Sequence, residues 1–305
     1  MNSLLRSPDR VTRAALFGIR FRDEATGAEI SEGLKVTLFP ESNPKLRVDA
    51  FRTRSGAFAA MRLPGLQHLA SGGGTLDNGE GDEEFWTEAL GKSRPYVVEV
   101  RDLHHRFLAF ALRTSLPAHG CIAVAPELQS PLPTAHRVPL FSAPTRPAPS
   151  AIGVIRVELR DAKNRAPLAG ALVRVEHEGE EIGYGFADER GKAAVMFPYP
   201  EPTRQRLAPP DGSHDTQPAR RLFDWDLSLR IHWGVWGPES PTRSSSLPDL
   251  GDLLEQRNLP AGRALSRLSP RLDLGSEKLL LGRETVVRTK ESDTKEYSCL
   301  YVARH

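Results

Sequence analysis

Apolar and polar residues alternate with the two-residue period of a β-strand in several short stretches of the chain. In the first stretch Ile19 and Phe21 lie on one face, and Arg20 and Arg22 lie on the other. Residues 34–39 repeat the alternation. Proline and glycine separate such stretches at intervals of about 8 to 12 residues, which is typical of antiparallel sandwiches. We therefore predict an all-β chain.

The same pattern occurs twice, in residues 12–123 and again in residues 151–305. Each copy has an aspartate that ends its first strand, a glycine before its second strand and a glycine in a later turn. These landmarks are offset by 138, 137 and 135 residues, in the pairs Asp23 and Asp161, Gly33 and Gly170, and Gly56 and Gly191. A nearly constant offset predicts duplication, and hence two tandem antiparallel β-sandwich modules.

Three polar stretches interrupt the modules, and a proline-rich stretch separates them. Residues 124–150 contain seven prolines, which predicts an extended, semi-rigid linker. A glycine-rich and acidic insertion at about 66–93 is predicted to be a surface loop. The second module has insertions at about 200–220 and 237–270.

The last insertion contains the one helical pattern of the chain. Leu250, Leu253 and Leu254 have the spacing of one helix face, and Asp249 or Asp252 is placed to cap the N-terminal end. We predict one short helix in this insertion.

Composition bounds the class of protein. Of the 305 residues, 39% are hydrophobic and 26% are charged, and no run reaches the roughly 18 to 20 apolar residues of a membrane span. The first residues lack the apolar core of a secretory signal, so we expect a cytoplasmic protein without membrane insertion. The net charge is +2 and the basic residues are scattered, which argues against a nucleic-acid partner. Cys121 and Cys299 are expected to be free thiols.

Residues 155–200 resemble the carboxypeptidase regulatory-like, transthyretin-like β-sandwich. The residues that carry the resemblance are Asp161, 167–171, Gly185, 187–189 and 191–193. In physical terms they are turn residues, because Asp188 can bond its own backbone and Gly191 supplies an unrestricted φ. The resemblance implies a sandwich fold and, by itself, no activity.

The two-module arrangement, with endings at 106–117 and 279–289, looks like accessory components of phage-tail-like contractile injection particles. This resemblance implies a non-catalytic structural adaptor at the cap or baseplate of such a particle. Its expected partners are protein subunits of the sheath, tube, cap or baseplate. It would be present in multiple copies, and the assembled particle would be released or docked at a membrane.

Four aromatic residues are predicted to bind such partners: Phe85, Trp86, Tyr199 and Trp236. Phe85 and Trp86 lie among acidic residues in the insertion at 66–93, and Trp236 opens the later loop. Aromatic side chains give a large contact area at low entropic cost. The two tryptophans of the strand 225–233 are instead expected in the core, because the alternation turns them inward.

The sequence predicts no catalytic residue, cofactor or metal site. His104 and His105 are adjacent, so a strand would point them to opposite faces, and the other histidines are single. Intradiol ring-cleaving dioxygenases hold iron on a similar sandwich with two tyrosines and two histidines. The residues that could be named for those roles are Tyr184, Tyr199, His214 and His232, but the paired histidine spacing is missing.

A binding module for carbohydrate or another surface ligand is the alternative function. Its platform would be Trp86, Tyr199 and Trp236. Exposed aromatic residues with convergent polar groups would favour the ligand-binding module, whereas flat strand edges would favour the adaptor.

Overall fold

The structure is a computed structural model with an all-β, sandwich-type fold, as the alternation predicted. It describes residues 15–71, 87, 89–118, 121–122, 137–204, 221–234, 245–268, 270–291 and 294–304. No helix in these ranges is long and apolar enough to cross a membrane.

The elements of the first module are β1 (Phe17–Ile19), β2 (Phe21–Asp23), β3 (Glu29–Ile30), β4 (Leu34–Pro40), β5 (Val48–Asp49), β6 (Phe51–Arg52), β7 (Phe58–Ala60), α1 (Gln67–Ser71), β8 (Arg94–Asp102), β9 (Phe110–Leu116) and β10 (Val138–Leu140). Its short strands form three hydrogen-bonded groups: β1–β7–β6, β10–β2–β3 and β5–β4–β8–β9.

The second module packs two larger sheets, ordered β14–β11–β22–β18–β19 and β13–β12–β17–β20. Its elements are β11 (Ile152–Asp161), β12 (Leu172–His177), β13 (Glu180–Phe186), β14 (Lys192–Pro198), β15 (Thr203–Arg204), β16 (Arg221–Leu222), β17 (Asp224–His232), α2 (Leu250–Glu255), a 3₁₀ turn at Gln256–Asn258, β18 (Arg263–Arg267), β19 (Leu272–Asp273), β20 (Glu277–Leu280), β21 (Glu284–Val287) and β22 (Leu300–Ala303).

The two modules share three strand pairings. In each, the first strand pairs antiparallel with the strand after the later glycine turn, as in β1 with β7 and β11 with β14. The strand after Gly33 or Gly170 pairs antiparallel with a later long strand, as in β4 with β8 and β12 with β17. A closing strand pairs parallel with the strand that ends at the repeated aspartate, as in β10 with β2 and β22 with β11. Duplication of one module predicts this agreement.

The agreement extends to the turn after the first strand. The Asp23 side chain accepts a hydrogen bond from the Ala25 N–H at 3.0 Å, and the Asp161 side chain accepts one from the Lys163 N–H at 2.6 Å. An aspartate that bonds its own backbone two residues on favours a turn at this point. The repeated aspartate therefore marks the same structural position in both modules.

The expected linker at 124–150 is wrong over its second half, because residues 138–140 form β10. Val138 and Leu140 are fully buried, and the Val138 N–H donates to the Arg20 carbonyl at 2.8 Å. Pro139 lies between these two bonding residues, so its missing N–H faces away from β2. The last strand of the first module therefore lies within the predicted linker.

The described ends of the insertion at 66–93 are anchored in the core, so these ends are not part of a surface loop. Leu66 and Ala89 are fully buried and Leu69 is nearly so. All three belong to the hydrophobic core of the first module. Residues 72–86 lie outside the described residues, as do 205–220 of the insertion at 200–220.

The predicted helix is confirmed as α2. The Asp249 carboxylate caps it, accepting the N–H groups of Gly251 at 2.9 Å and Asp252 at 3.3 Å. Its three leucines are buried as the periodicity predicted. They pack, however, in the core of the first module together with Leu172 and Phe186 of the second. The two modules therefore share this core, while the second module also has a separate core of its own.

We call residues 245–255 the clasp, because they hold the second module against the first. The Pro248 carbonyl accepts a hydrogen bond from the Ala111 N–H on β9 at 2.7 Å. Leu247 packs on a buried cluster of Phe39, Val97 and Ala111 on the outer face of β4, β8 and β9. The insertion predicted at 237–270 is thus in part an inter-module contact.

At the equivalent position on the outer face of the corresponding sheet, the second module has polar residues. The pair of Val36 and Val100 in the first module corresponds to the pair of Val173 and Ile231 in the second. Three residues further along the strand, Phe39 therefore corresponds to Glu176. Glu176 and Arg230 form an ion pair there at 2.7 Å. The apolar cluster that the clasp covers on the first module therefore has no apolar counterpart at this position of the second.

Candidate interaction surfaces

Of the four aromatic residues predicted to bind partners, the structure describes only Tyr199. Phe85, Trp86 and Trp236 lie outside the described residues. Tyr199 is half-buried and stacks on Trp225, with ring centroids 5.2 Å apart and planes inclined by 30°. Its hydroxyl accepts the Gly282 N–H at 2.9 Å. Most of this ring is therefore engaged in packing at the end of the second module.

Two exposed apolar side chains lie near the contact of Tyr199 with Gly282. Leu281 is 49% exposed and Phe223 is 44% exposed, and the two residues are joined by a backbone hydrogen bond of 3.0 Å. A cavity of about 400 Å³ lies beside them, lined by Tyr199, Leu281 and residues 148–152 among others. This end of the second module is an apolar surface with a small concavity.

The edge of β20 at this surface is closed to further strand pairing. The Thr285 hydroxyl donates to the Lys278 carbonyl at 3.0 Å, and the Arg283 N–H donates to the Leu280 carbonyl at 3.1 Å. These bonds occupy acceptors that an added strand would need. A partner at this surface would contact side chains and not extend the sheet.

A larger concavity of about 910 Å³ lies between the modules, and we call it the inter-module groove. It is formed by the start of β9, the clasp, and two turns of the second module at 169–170 and 187–189. Those turns belong to the stretch that carries the sequence resemblance. Four segments distant in the sequence therefore meet at one groove.

Core side chains form the apolar base of the groove. Phe110 and Phe141 come from the first module and Phe186 from the second, and all three are at most 3% exposed. The rings of Phe141 and Phe186 meet edge to face with centroids 4.7 Å apart. Leu250 and Leu253 of the clasp complete the base. Because these residues belong to the shared core, the groove is preformed.

A cationic side chain lines the groove on the side of the first module. Arg101 lies on the outer face of β8, and among the described residues its ion pair is a long contact of 3.8 Å to Glu99. Glu99 is already bound by Arg47 at 2.8 Å and by the Ser245 hydroxyl at 2.7 Å. Arg101 therefore has guanidinium donors available to a ligand.

Glu99 itself remains charged beneath the clasp. Burial raises the pKa of its carboxyl, but hydrogen bonds from Arg47 and Ser245 lower it by more, so the pKa lies below its ordinary value. Glu99 therefore attaches the clasp to the first module as a carboxylate.

Two carboxylates line the groove on the side of the second module. One oxygen of Asp188 accepts the N–H groups of Arg190 at 2.9 Å and Lys192 at 2.8 Å. Glu189 is exposed and forms no ion pair within the described part of the chain. The groove thus has an apolar base with a cation on one wall and carboxylates on the other.

A buried charged cluster joins the modules away from the groove. Glu24 and Arg22 of the first module form an ion pair at 2.9 Å, and Tyr184 of the second hydrogen-bonds Glu24. Arg257 stacks over the Tyr184 ring at 4.2 Å and donates to Glu181 at 2.6 Å. Burial raises the pKa of Glu24 more than its cationic neighbours lower it.

The residues named for a dioxygenase-like site are not brought together. Tyr184 packs against the core of the first module and Tyr199 against that of the second. His232 is buried with its Nδ1 2.7 Å from the Leu259 carbonyl, and His214 lies outside the described residues. Within the described ranges no three His, Cys, Asp or Glu residues are grouped as metal ligands.

Comparison with known proteins adds little. No family model and no curated protein matches the chain. Among solved structures it is similar to the TIE protein of Bacillus anthracis, with a TM-score of 0.22 and 9% sequence identity. That match covers 89% of this chain and 33% of the other, so the chain spans about a third of that protein's length. Similarity at this level carries no argument about function.

Proposed function

We propose that this chain is a non-catalytic structural adaptor that acts by protein–protein assembly. The observation that carries the proposal is the preformed groove between two modules that both contribute to the core of the first. Inter-domain contacts within a chain are commonly smaller and more polar, which leaves the domains free to move. A shared apolar core instead fixes two binding surfaces at a constant separation, as an adaptor requires.

Ion pairs support the same rigidity. The connection between the modules is held by Arg146, which binds both carboxylate oxygens of Asp23 at 2.9 and 2.6 Å. Arg156 of the second module donates to the Arg146 carbonyl at 2.6 Å. The residues that follow β10 therefore attach to both modules.

The assembly in which we place the adaptor is a phage-tail-like contractile injection particle, at its cap or baseplate. The sequence resemblances support this placement, and the turns that carry the sandwich resemblance line the groove. Sheath, tube, cap or baseplate subunits are the proposed partners, with several copies of the chain in each particle. Repeated copies suit a rigid body that presents the same two surfaces to each neighbour.

Affinity capture of the tagged chain from its native cell tests the adaptor function. Sheath, tube and baseplate proteins identified by mass spectrometry, with rod-shaped particles in negative-stain images, are expected. Capture of the chain alone, under conditions that leave such particles intact, would contradict the adaptor function.

A ligand-binding module is the second candidate, and the cavity of about 400 Å³ beside Tyr199 favours it. Aromatic platforms line many sugar sites, although the stacking on Trp225 leaves only part of this ring free. A glycan array distinguishes the candidates. Binding that is weakened by Leu281→Asp at the cavity would favour the ligand-binding module.

A further inference from the structure

The edge of β9 beside the inter-module groove already binds an extended segment of this chain. Pro248 of the clasp accepts a hydrogen bond from Ala111, and Asp249 runs parallel to β9 there. Earlier in the clasp, Ser245 lies over the outer face of the sheet, where its hydroxyl bonds Glu99. The clasp therefore leaves the edge of β9 near its start, and Ala109, the residue before β9, lines the groove there.

The charges on the groove walls restrict what fits. An apolar ligand would satisfy Phe110 and Phe141 at the base but would desolvate Arg101 and the carboxylates without compensation. A polypeptide carries apolar side chains and charges of both signs on one extended backbone. Two carboxylates, Asp188 and Glu189, against one cation favour a segment with a basic side chain.

We infer that the groove binds an extended segment of a partner protein that carries an apolar side chain next to a lysine or arginine. The apolar side chain packs on Phe110 and Phe141, and the basic side chain pairs with Asp188 and Glu189. The backbone of the segment continues along the edge of β9 where the clasp leaves it. The inference rests on the proposed adaptor function and names the partner chemistry of its groove.

Selection from a display library of short random peptides on the intact chain tests the inference. The expected result is enrichment of peptides with an apolar residue beside lysine or arginine. Fluorescence anisotropy of one enriched peptide then measures affinity for variants. Ser246 is exposed and lines the groove, so Ser246→Trp fills the groove without touching the core, and affinity should fall at least about tenfold.

Charge reversal gives a more specific measurement. Glu189→Lys should weaken binding of the enriched peptide. Selection repeated on this variant should enrich peptides in which the residue beside the apolar one is acidic instead of basic. Glu178→Lys is the matched control, because Glu178 is an exposed glutamate in the turn at the other end of β12 and β13. It should leave both affinity and charge preference unchanged.

Two results of the peptide experiments would overturn the inference: enriched peptides that bind Ser246→Trp as tightly as the original chain, or a charge preference that Glu189→Lys leaves basic. The adaptor function is judged separately by capture from cells. If Ser246→Trp still captures sheath and baseplate proteins, the groove inference fails and the adaptor function stands. If the original chain binds groove peptides but captures no particle proteins, the adaptor function fails and the groove assignment stands.

Discussion

Arg146 binds both carboxylate oxygens of Asp23, with nitrogen–oxygen distances of 2.9 and 2.6 Å, although 123 residues separate them in the chain. Both side chains are buried, and the guanidinium lies 4.7 Å above the Phe107 ring. The pair fixes the segment after β10 to the turn after β2. A bidentate ion pair out of water is strong only while both partners are present.

Arg146→Met should therefore destabilise the protein by about 3 to 5 kcal/mol, because it leaves the Asp23 carboxylate buried without its cation. Urea unfolding followed by circular dichroism measures the loss. Arg283→Met is the control, because Arg283 is exposed and its side chain forms no ion pair with the other described residues. Equal stability of the two variants would contradict a structural role for the pair.

The same pair predicts a pH dependence. Burial raises the pKa of Asp23, but the hydrogen bond from Arg146 and its other contacts lower it by more, so the folded pKa lies below the ordinary 3.8. A lowered folded pKa contributes stability that is present above the unfolded pKa and is lost as pH falls through the folded pKa. The original chain should lose this contribution below about pH 4, whereas Arg146→Met should lose less over the same range.

The clasp leucines should stabilise the first module although they follow the second in sequence. Leu253 is 4% exposed in the core of the first module, so Leu253→Ala should cost about 2 to 5 kcal/mol. Hydrogen exchange should show faster exchange of β9 amides, because α2 packs against that strand. Leu272→Ala, at a leucine that is 49% exposed, should change neither quantity measurably.

Faster exchange confined to the second module would contradict this arrangement. It would mean that the leucines support only the module in which they are encoded.

Local patterns in the sequence predict the elements but not their destinations. The alternation at Ile19 and Phe21 predicts a buried strand face, and the spacing of Leu250 and Leu253 predicts a buried helix face. In the structure both faces are buried. Periodicity depends on residues a few positions apart, so it identifies a helix without showing which module will cover it. The position of α2 on the first module depends on contacts more than 100 residues distant, such as that of Pro248 with Ala111.

Two sites show why the candidate surfaces were harder to predict. Val138–Leu140 is only three residues long and contains a proline, so composition favoured a linker. Its identity as a strand depends on pairing with β2, which lies more than 100 residues earlier in the chain. Tyr199 was predicted to be available to partners because it is aromatic, yet it stacks on Trp225. The groove combines four segments, and no motif within one segment could have indicated it.

Protonation of Glu24 in mild acid should stabilise the junction between the modules. Burial raises its pKa above the ordinary 4.5, and the Arg22 cation offsets this only in part. A raised folded pKa contributes stability that is present below the unfolded pKa and is lost as pH rises through the folded pKa. Glu24→Gln should therefore be at least as stable as the original chain at pH 7. Towards pH 4 Glu24 becomes protonated, so the difference in unfolding free energy should shift in favour of the original chain.

Urea midpoints measured across this pH range check the prediction. Glu32→Gln serves as the control, because Glu32 is 78% exposed in its ion pair with Arg52. A Glu24→Gln variant that loses several kcal/mol at neutral pH would show instead that the ion pair with Arg22 outweighs burial.

The duplicated modules provide a matched pair of glycine positions. Gly56 and Gly191 occupy the same turn, with φ of 83° and 78°, so alanine at either position should cost about 1 to 2 kcal/mol for a left-handed backbone. Their surroundings differ. A Cβ at Gly191 would lie 2.5 Å from the Leu159 carbonyl oxygen, whereas one at Gly56 would lie 3.1 Å from a Glu29 side-chain oxygen, which can move.

Gly191→Ala should therefore destabilise the protein more than Gly56→Ala, because a backbone oxygen on β11 must shift to admit the new methyl group. The Leu159 N–H also donates to the Gly191 carbonyl at 2.7 Å, so the shift would strain the pairing of β11 with this turn. Thermal unfolding of the two variants, measured side by side, gives the comparison. Equal losses would mean that φ alone sets the cost, and that the close contact with Leu159 relaxes without penalty.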